Sequence, residues 1–189
     1  MGDTWKSRFQ EVYERGAHAW REGRRSPQSM FDAEDAAFLK SIGCTAQELF
    51  DFVDDAQSTG EPDFKSVLAV QEIRLDHFLN DMGGEWPAHA VPVSSLPAKR
   101  DQVDGIPWLP RIIEKARLKL QGRMPAELMY GCGGDHSFLR QVNMTLPQFL
   151  QLVRDKGSDD RAIVEVVKAS AKPGKPDVRP ALSNERSRR

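Results

Sequence analysis

The sequence is poor in cysteine and has no long apolar segment. Its two cysteines, Cys44 and Cys132, are too few for a disulfide scaffold, so we expect a reducing compartment. No apolar run approaches the roughly 18 residues that cross a bilayer. The first 20 residues also lack the apolar segment of a signal peptide. We therefore expect a cytoplasmic protein without a membrane partner.

A strong charge of either sign is also lacking. The formal charge of −1 over 189 residues gives no overall electrostatic preference for nucleic acid. Only the C-terminal end is biased, since residues 171–189 hold six basic and two acidic side chains. With little to bury, this basic tail is predicted to be disordered. Weak, salt-sensitive contact between the tail and nucleic acid is one functional alternative.

The alternating pattern of β-strands is missing, whereas helix signals recur at a spacing of 100 residues. Thr45 and Glu48 have the spacing of a capping box, in which each side chain satisfies a backbone N–H at the start of a helix. Thr145 and Gln148 repeat this device. Two such boxes in register indicate an internal duplication.

The residues before each capping box repeat as well. Gly43 and Asn143 are the residue types that most readily adopt the left-handed conformation that ends a helix. Asp35 and Asp135 each lie at the start of the short helix before that stop. We expect both carboxylates to cap the free N–H groups of these helices.

These signals predict an all-α fold of about eight helices in two pseudo-repeated helical units. The first unit covers residues 1–82, and the second covers residues 108–170. A long proline-rich segment, residues 83–107, joins them, either as a flexible connector or as an extended chain lying across a surface. The basic tail, residues 171–189, follows.

The second unit resembles a bacterial family catalogued as domain of unknown function 5069. The resemblance covers about residues 97–168 and is carried by Asp104–Arg117, Tyr130–Leu139 and Phe149–Val153. Its most distinctive stretch reads Leu-Pro-Arg-Ile-Ile-Glu-Lys-Ala-Arg, at residues 109–117. The family has no established activity, so the resemblance implies a shared fold and no reaction.

A glycine-rich loop offers the most suggestive chemistry. Cys132, Asp135 and His136 place a thiol, a carboxylate and an imidazole within five residues, just after Tyr130. Flexible glycine backbone could approach a ligand closely. As a nucleophile, Cys132 would need activation by the next helix N-terminus or by His136. The alternative is structural, with Asp135 as a helix cap and Cys132 as a buried thiol.

Basic residues crowd the helix that precedes this loop. Lys115 and Lys119 are four residues apart and share one helix face, with Arg111 one turn before them. Such a group could bind a small anionic ligand, a phosphate or a carboxylate. The alternative is a solvated helix face.

Other site classes have weaker support. Cys132 and His136 supply two ligands where zinc needs three or four, so no metal or cofactor is predicted. The helix beginning near Thr45 follows a glycine turn, as in helix-turn-helix proteins. Its acidic residues Asp51, Asp54 and Asp55 would repel DNA, so specific DNA binding is not expected.

The sequence predicts a non-catalytic cytoplasmic binding or protein-interaction module. One alternative is a small-molecule-binding protein or enzyme. Its site would comprise Arg111, Lys115, Tyr130, Cys132, Asp135 and His136.

Overall fold

The computed structural model describes residues 4–171, and the chain divides into two units, Met1–Trp86 and Pro87–Arg189. The described residues form nine α-helices, one short 3₁₀ helix (Val93–Ser95) and one two-stranded hairpin, which confirms the all-α prediction. None of these helices is both long and apolar enough to cross a membrane. Apart from its first residue, the predicted disordered tail, residues 171–189, lies outside the described part of the chain.

The first unit is built around its N-terminal helix. Its helices are α1 (Thr4–Arg21), α2 (Pro27–Met30), α3 (Ala33–Ser41), α4 (Ala46–Thr59) and α5 (Phe64–Asn80). Helix α1 packs against α2, α4 and α5. Its buried residues Phe9 and Val12 recur at helical spacing, which is why the chain forms an amphipathic helix here.

The second unit contains a small hairpin, which four α-helices follow. It comprises β1 (Gln102–Val103), β2 (Ile106–Pro107), α6 (Leu109–Gln121), α7 (Gly133–Gln141), α8 (Leu146–Lys156) and α9 (Asp160–Ser170). Helix α6 packs against α8, which also contacts α7 and α9. Leu109, Ile112 and Ala116 of α6 are fully buried.

The predicted caps and stops are confirmed. The Thr45 and Thr145 side chains each accept a hydrogen bond from the third residue of the following helix, and both capping boxes are complete. Gly43 and Asn143 adopt the left-handed conformation, with φ of 75° and 54°. The ends of α3 and α7 and the starts of α4 and α8 therefore lie where the sequence predicts them.

The prediction that Asp35 and Asp135 cap their helices is wrong. The N-cap residues are Asp32 for α3 and Cys132 for α7. Each of the two predicted aspartates lies three residues further on, inside the first turn, and is buried. Their carboxylates instead pair with a cation of the preceding long helix, Arg15 in the first unit and Lys115 in the second.

Corresponding features of the two units lie 100 residues apart. Helices α3 and α7 begin at residues 33 and 133, and α4 and α8 begin at 46 and 146. The spacing extends to two ion pairs, since Arg15–Asp35 corresponds to Lys115–Asp135. Internal duplication stays a prediction, which this correspondence supports.

The proline-rich segment lies against folded structure along much of its length. Trp86 packs on Phe78 in the first unit, at 5.5 Å between ring centroids. In the second unit, Leu96 joins a buried cluster with Leu118 and Leu128.

The segment also contains the hairpin, which the sequence analysis missed. Val103 pairs with Ile106 in an antiparallel register. The two turn residues, Asp104 and Gly105, both have positive φ, at 50° and 75°. This is the backbone of a type I′ turn, for which Asp-Gly is a favoured sequence.

Candidate functional site

The candidate site is organised by the junction between β2 and α6. Trp108 precedes α6 in a left-handed conformation, with φ of 69°. For a bulky residue this conformation is a genuine outlier and costs roughly 1–3 kcal/mol. The strain directs the indole to Asp135, whose Oδ1 accepts a hydrogen bond from Trp108 Nε1 at 2.9 Å.

A buried ion pair lies at the centre of the site. Lys115 Nζ is 2.5 Å from Asp135 Oδ2, and both side chains are 0% exposed. Asp135 Oδ2 also accepts the backbone N–H of Gly131 at 2.8 Å. With the bond from Trp108, the carboxylate accepts three hydrogen bonds. These three hydrogen bonds join Asp135 to the residue before α6, to the middle of α6 and to the loop before α7.

Cys132 lies beside this ion pair. Its Sγ is 3.2 Å from Lys115 Nζ, and the residue as a whole is only half-buried. The sequence analysis expected its charged neighbour to be His136 or a helix N-terminus. The structure shows that Lys115 is also a charged neighbour. This residue belongs to α6 and precedes Cys132 by 17 residues.

The other predicted residues have partners of their own. The Tyr130 hydroxyl donates to the Leu146 carbonyl oxygen at 2.8 Å. Arg111 Nη1 donates to the Pro97 carbonyl oxygen at 2.7 Å and so ties the proline-rich segment to α6. His136 lies half-buried in the first turn of α7. The structure therefore brings together Lys115, Cys132 and Asp135 among the six predicted residues.

The alternative of a solvated basic helix face is wrong. Arg111, Lys115 and Lys119 are all buried. They lie among the apolar residues of α6 because Lys115 and Lys119 follow Ile112 by three and seven residues, which is the spacing of one helix face.

The sequence analysis missed the contribution of Gly134. A Cβ atom at this position would lie 2.4 Å from Cζ2 and 2.6 Å from Cη2 of Trp108. Glycine is therefore required for the indole to lie over the start of α7 and reach Asp135. The sequence signal was the Gly133-Gly134 pair, which fits a close approach of another side chain as well as it fits a turn.

A fully buried arginine in the first unit was also missed. The Arg74 guanidinium lies 5.1 Å from the Phe78 ring centroid and 5.5 Å from that of Trp86. Burial lowers its pKa, although Glu48 opposes this shift. We interpret Arg74 as a packing residue that holds Trp86 in the first unit through cation–π contacts.

Burial dominates the titration behaviour of the site. Burial and the Asp135 charge raise the pKa of Cys132 above its ordinary value of 9.0, against the opposing effect of Lys115. The same two causes raise the pKa of Tyr130 well above 10.0. Burial lowers the pKa of Lys115, but Asp135 and Cys132 outweigh it and raise the value above 10.5. The resting site is a neutral thiol beside an ammonium–carboxylate pair.

These shifts predict a loss of stability in alkali. The folded protein keeps protons on Cys132, Tyr130 and Lys115 that the unfolded chain releases from about pH 9 upward. The stability that these three groups contribute should therefore be fully present below pH 9 and be lost as the pH rises above it. The measurement is urea denaturation followed by circular dichroism at a series of pH values.

Replacing Tyr130 with phenylalanine provides the comparison for this prediction. Each proton retained only by the folded state contributes about 1.4 kcal/mol per pH unit to the slope. Above pH 10 the Tyr130→Phe protein should therefore lose stability less steeply than the wild type. Parallel curves for the two proteins would contradict the assigned shift of Tyr130.

Comparison with known proteins agrees with the resemblance. Residues 93–181 match the model of the family described as Domain of unknown function (DUF5069), so this part of the chain is similar to that family. No curated protein and no solved structure matches the chain. Within residues 4–171, no group of three or more His, Cys, Asp or Glu side chains could hold a metal ion.

Proposed function

We propose that this protein is a cytoplasmic, non-catalytic interaction module that binds an acidic protein through the start of α7. One observation carries the proposal: the buried Lys115–Asp135 pair and strained Trp108 fix a loop whose outer side faces solvent. Gly133 is exposed there, and Cys132 and His136 are half-buried. We call this surface, residues 132–137, the α7 face. A fixed surface loses little conformational entropy when it binds a partner.

The charge distribution supports an acidic partner. Between residues 1 and 86 there are 9 basic and 17 acidic side chains, a formal charge of −8. Residues 87–189 have 18 basic and 11 acidic side chains, a formal charge of +7. The near-zero total charge therefore conceals a basic second unit, and complementary charge accelerates association with acidic surfaces.

The geometry favours an interaction module over an enzyme. Asp135 Oδ2 already accepts two hydrogen bonds and Oδ1 accepts one, so the carboxylate is engaged as a structural acceptor. The Tyr130 hydroxyl is bonded to the backbone of α8. Cys132 has a raised pKa, whereas a catalytic thiol needs a lowered one. Binding of a small anion is disfavoured for a similar reason, because Lys115 is already paired with Asp135.

Cys44 and Cys132 are thiols rather than disulfide-bonded residues, which supports the cytoplasmic location. We further propose that the two units arose by duplication and that binding is specific to the second. Cys132 corresponds to Asp32 of the first unit at the 100-residue spacing. The two N-cap positions therefore present different chemistry.

Gly133 provides a sharp test, because a Cβ atom there meets nothing within 4 Å. Side chains of opposite charge can be placed on the α7 face without disturbing the buried pair. The tagged full-length protein, expressed in its own cells, should retain one stoichiometric acidic partner. Gly133→Glu should weaken that complex at least tenfold by charge repulsion, whereas Gly133→Lys and Gly133→Ala should preserve it.

Quantitative pull-down and titration of the purified complex measure these effects. Raising the salt concentration should weaken the wild-type complex, since the proposed attraction comes from the net positive charge of residues 87–189. Equal binding by the Glu and Lys variants would contradict the proposed surface. A wild-type protein that returns no stoichiometric partner would contradict the proposed function.

A further inference from the structure

The second unit holds an amine and a thiol in direct contact, and the proposed binding function makes no use of their chemical reactivity. Lys115 Nζ lies 3.2 Å from Cys132 Sγ and 2.5 Å from Asp135 Oδ2. Lys115 and Asp135 are fully buried, but Cys132 is half-buried beside exposed Gly133. Cys132 is therefore the one partly exposed member of this trio, and a small oxidant would have to reach the sulfur from its side.

We propose that Lys115 and Cys132 form a reversible sulfenamide cross-link when a hydroperoxide oxidises the thiol. In the first step, the sulfur attacks the O–O bond of hydrogen peroxide. An S–O bond forms, the O–O bond breaks, and the thiol proton leaves with the second oxygen as water. Sulfur loses two electrons and peroxide gains them, giving a sulfenic acid on Cys132.

In the second step, Lys115 Nζ gives one proton to Asp135 Oδ2 and attacks the sulfenic sulfur. An N–S bond forms and the S–O bond breaks. A second proton of the former ammonium group leaves with the hydroxide as water, and the third stays on nitrogen. No further electrons are exchanged. The contact with Asp135 provides the proton acceptor without which a charged lysine could not act as nucleophile.

A low-molecular-weight thiol reverses the reaction. It attacks the sulfur of Cys132, breaks the N–S bond and returns its proton to the lysine nitrogen. A second thiol then attacks the resulting mixed disulfide. The products are the Cys132 thiol, the Lys115 amine and the oxidised disulfide of the small thiol, so the cycle consumes one peroxide and two thiols.

The structure favours this outcome over other fates of an oxidised cysteine. A disulfide needs a second thiol, and the other cysteine, Cys44, is only 1% exposed. Over-oxidation to a sulfinic acid needs a second peroxide molecule. The lysine nitrogen is already at contact distance, and such proximity makes an intramolecular reaction much faster than its bimolecular equivalent.

Cross-linking would change the centre of the site. It replaces the ammonium–carboxylate pair with a neutral amine and a protonated Asp135, and it joins α6 covalently to the N-cap of α7. The raised pKa of Cys132 keeps its thiol protonated at neutral pH. Because the thiolate is the reactive form, the site should respond to sustained peroxide rather than to traces.

Peptide mass spectrometry tests the proposal on the full-length protein. The folded protein is treated with hydrogen peroxide, then unfolded, alkylated and digested with trypsin. The expected product joins the peptides that contain Lys115 and Cys132, with two hydrogen atoms fewer than their sum and no cleavage after Lys115. Dithiothreitol should restore both separate peptides.

Three variants and an unfolded sample serve as controls. The cross-link should persist in Cys44→Ser and be lost in Cys132→Ser. It should also be lost in Lys115→Arg, which keeps the positive charge beside Asp135 but lacks a nucleophilic amine. Protein oxidised in urea should show at least tenfold less of it, because the geometry is gone.

Several results would overturn the inference. Oxidation of Cys132 to a sulfinic acid without any cross-link would do so, as would a cross-link to another lysine in the Lys115→Arg protein. A Lys115–Cys132 product that retains one oxygen atom would contradict the direct N–S bond. Equal yields from folded and unfolded protein would show that proximity in the fold has no role.

Discussion

Replacing Asp135 with alanine is expected to lower the free energy of unfolding of the second unit by about 3–5 kcal/mol. The carboxylate is fully buried and accepts hydrogen bonds from Trp108, Gly131 and Lys115. Its removal leaves an ammonium group without its counter-ion in the interior. It also leaves the indole and backbone N–H groups without acceptors, each at a further cost.

Hydrogen exchange followed by mass spectrometry measures this effect unit by unit. Peptides from α6 and α7 should lose protection in the Asp135→Ala protein, while peptides from α1 and α4 should keep theirs. Wild-type protection throughout α6 and α7 would show that the ion pair does not hold these helices together.

The chain provides a matched control in the first unit. Asp35 is also buried and also pairs with a cation 20 residues earlier, but that partner, Arg15, has a side chain that is 54% exposed. After Asp35→Ala, the guanidinium can be solvated by water. We therefore expect a loss of about 1 kcal/mol or less, as for other exposed ion pairs.

A double substitution separates the charge effect from packing. Asp135→Leu combined with Lys115→Met removes both charges and fills similar volume. Apolar replacement of a whole buried pair is often neutral, so the double variant should recover most of the stability lost in Asp135→Ala. If it is no more stable than the single variant, the hydrogen bonds to Trp108 and Gly131 dominate instead.

Replacing Gly134 with alanine should cost about 1–3 kcal/mol. The new Cβ would overlap the six-membered ring of Trp108 at 2.4 Å. The indole cannot turn away cheaply, because its Nε1 donates to Asp135 and the residue is only 8% exposed. The clash must therefore move α7, break that hydrogen bond, or both.

The neighbouring glycine is the control for this substitution. Gly133 lies in the same helical turn, but its Cβ would meet nothing within 4 Å. Gly133→Ala should be neutral or stabilising by up to about 1 kcal/mol, since alanine reduces the freedom of the unfolded chain. Urea denaturation of both variants measures the difference. Equal stabilities would show that the Trp108 ring is free to move.

Local signals predicted the helical framework well. The capping boxes at Thr45 and Thr145, and the stops at Gly43 and Asn143, depend only on residues within one or two turns of each other. Such contacts form in any context that lets the helix form, so a sequence pattern is enough to locate them. The Asp104-Gly105 hairpin was equally local, and it was missed because its strands are only two residues long.

The main error in the interpretation of α6 was the alternative that its basic side chains form a solvated face, since they are buried. Lys115 and Lys119 follow Ile112 at spacings that continue its apolar stripe, and that pattern predicts a buried face. The residue type favoured a solvent-exposed position for both side chains, because buried lysines are rare unless they are paired. Recognising the pair would have required knowing that Asp135, 20 residues away, folds back onto α6.

The sequence by itself determined the helical class, the stops at Gly43 and Asn143, the capping boxes at Thr45 and Thr145, and the similarity of residues 93–181 to the DUF5069 family. It also placed Cys132 and Asp135 on one loop. Only the tertiary structure decided what that loop does, because the roles of its side chains depend on a residue from α6. Lys115 turns a presumed helix cap into a buried ion pair and gives Cys132 an amine neighbour. Such a contact depends on how the helices pack, which no local pattern specifies.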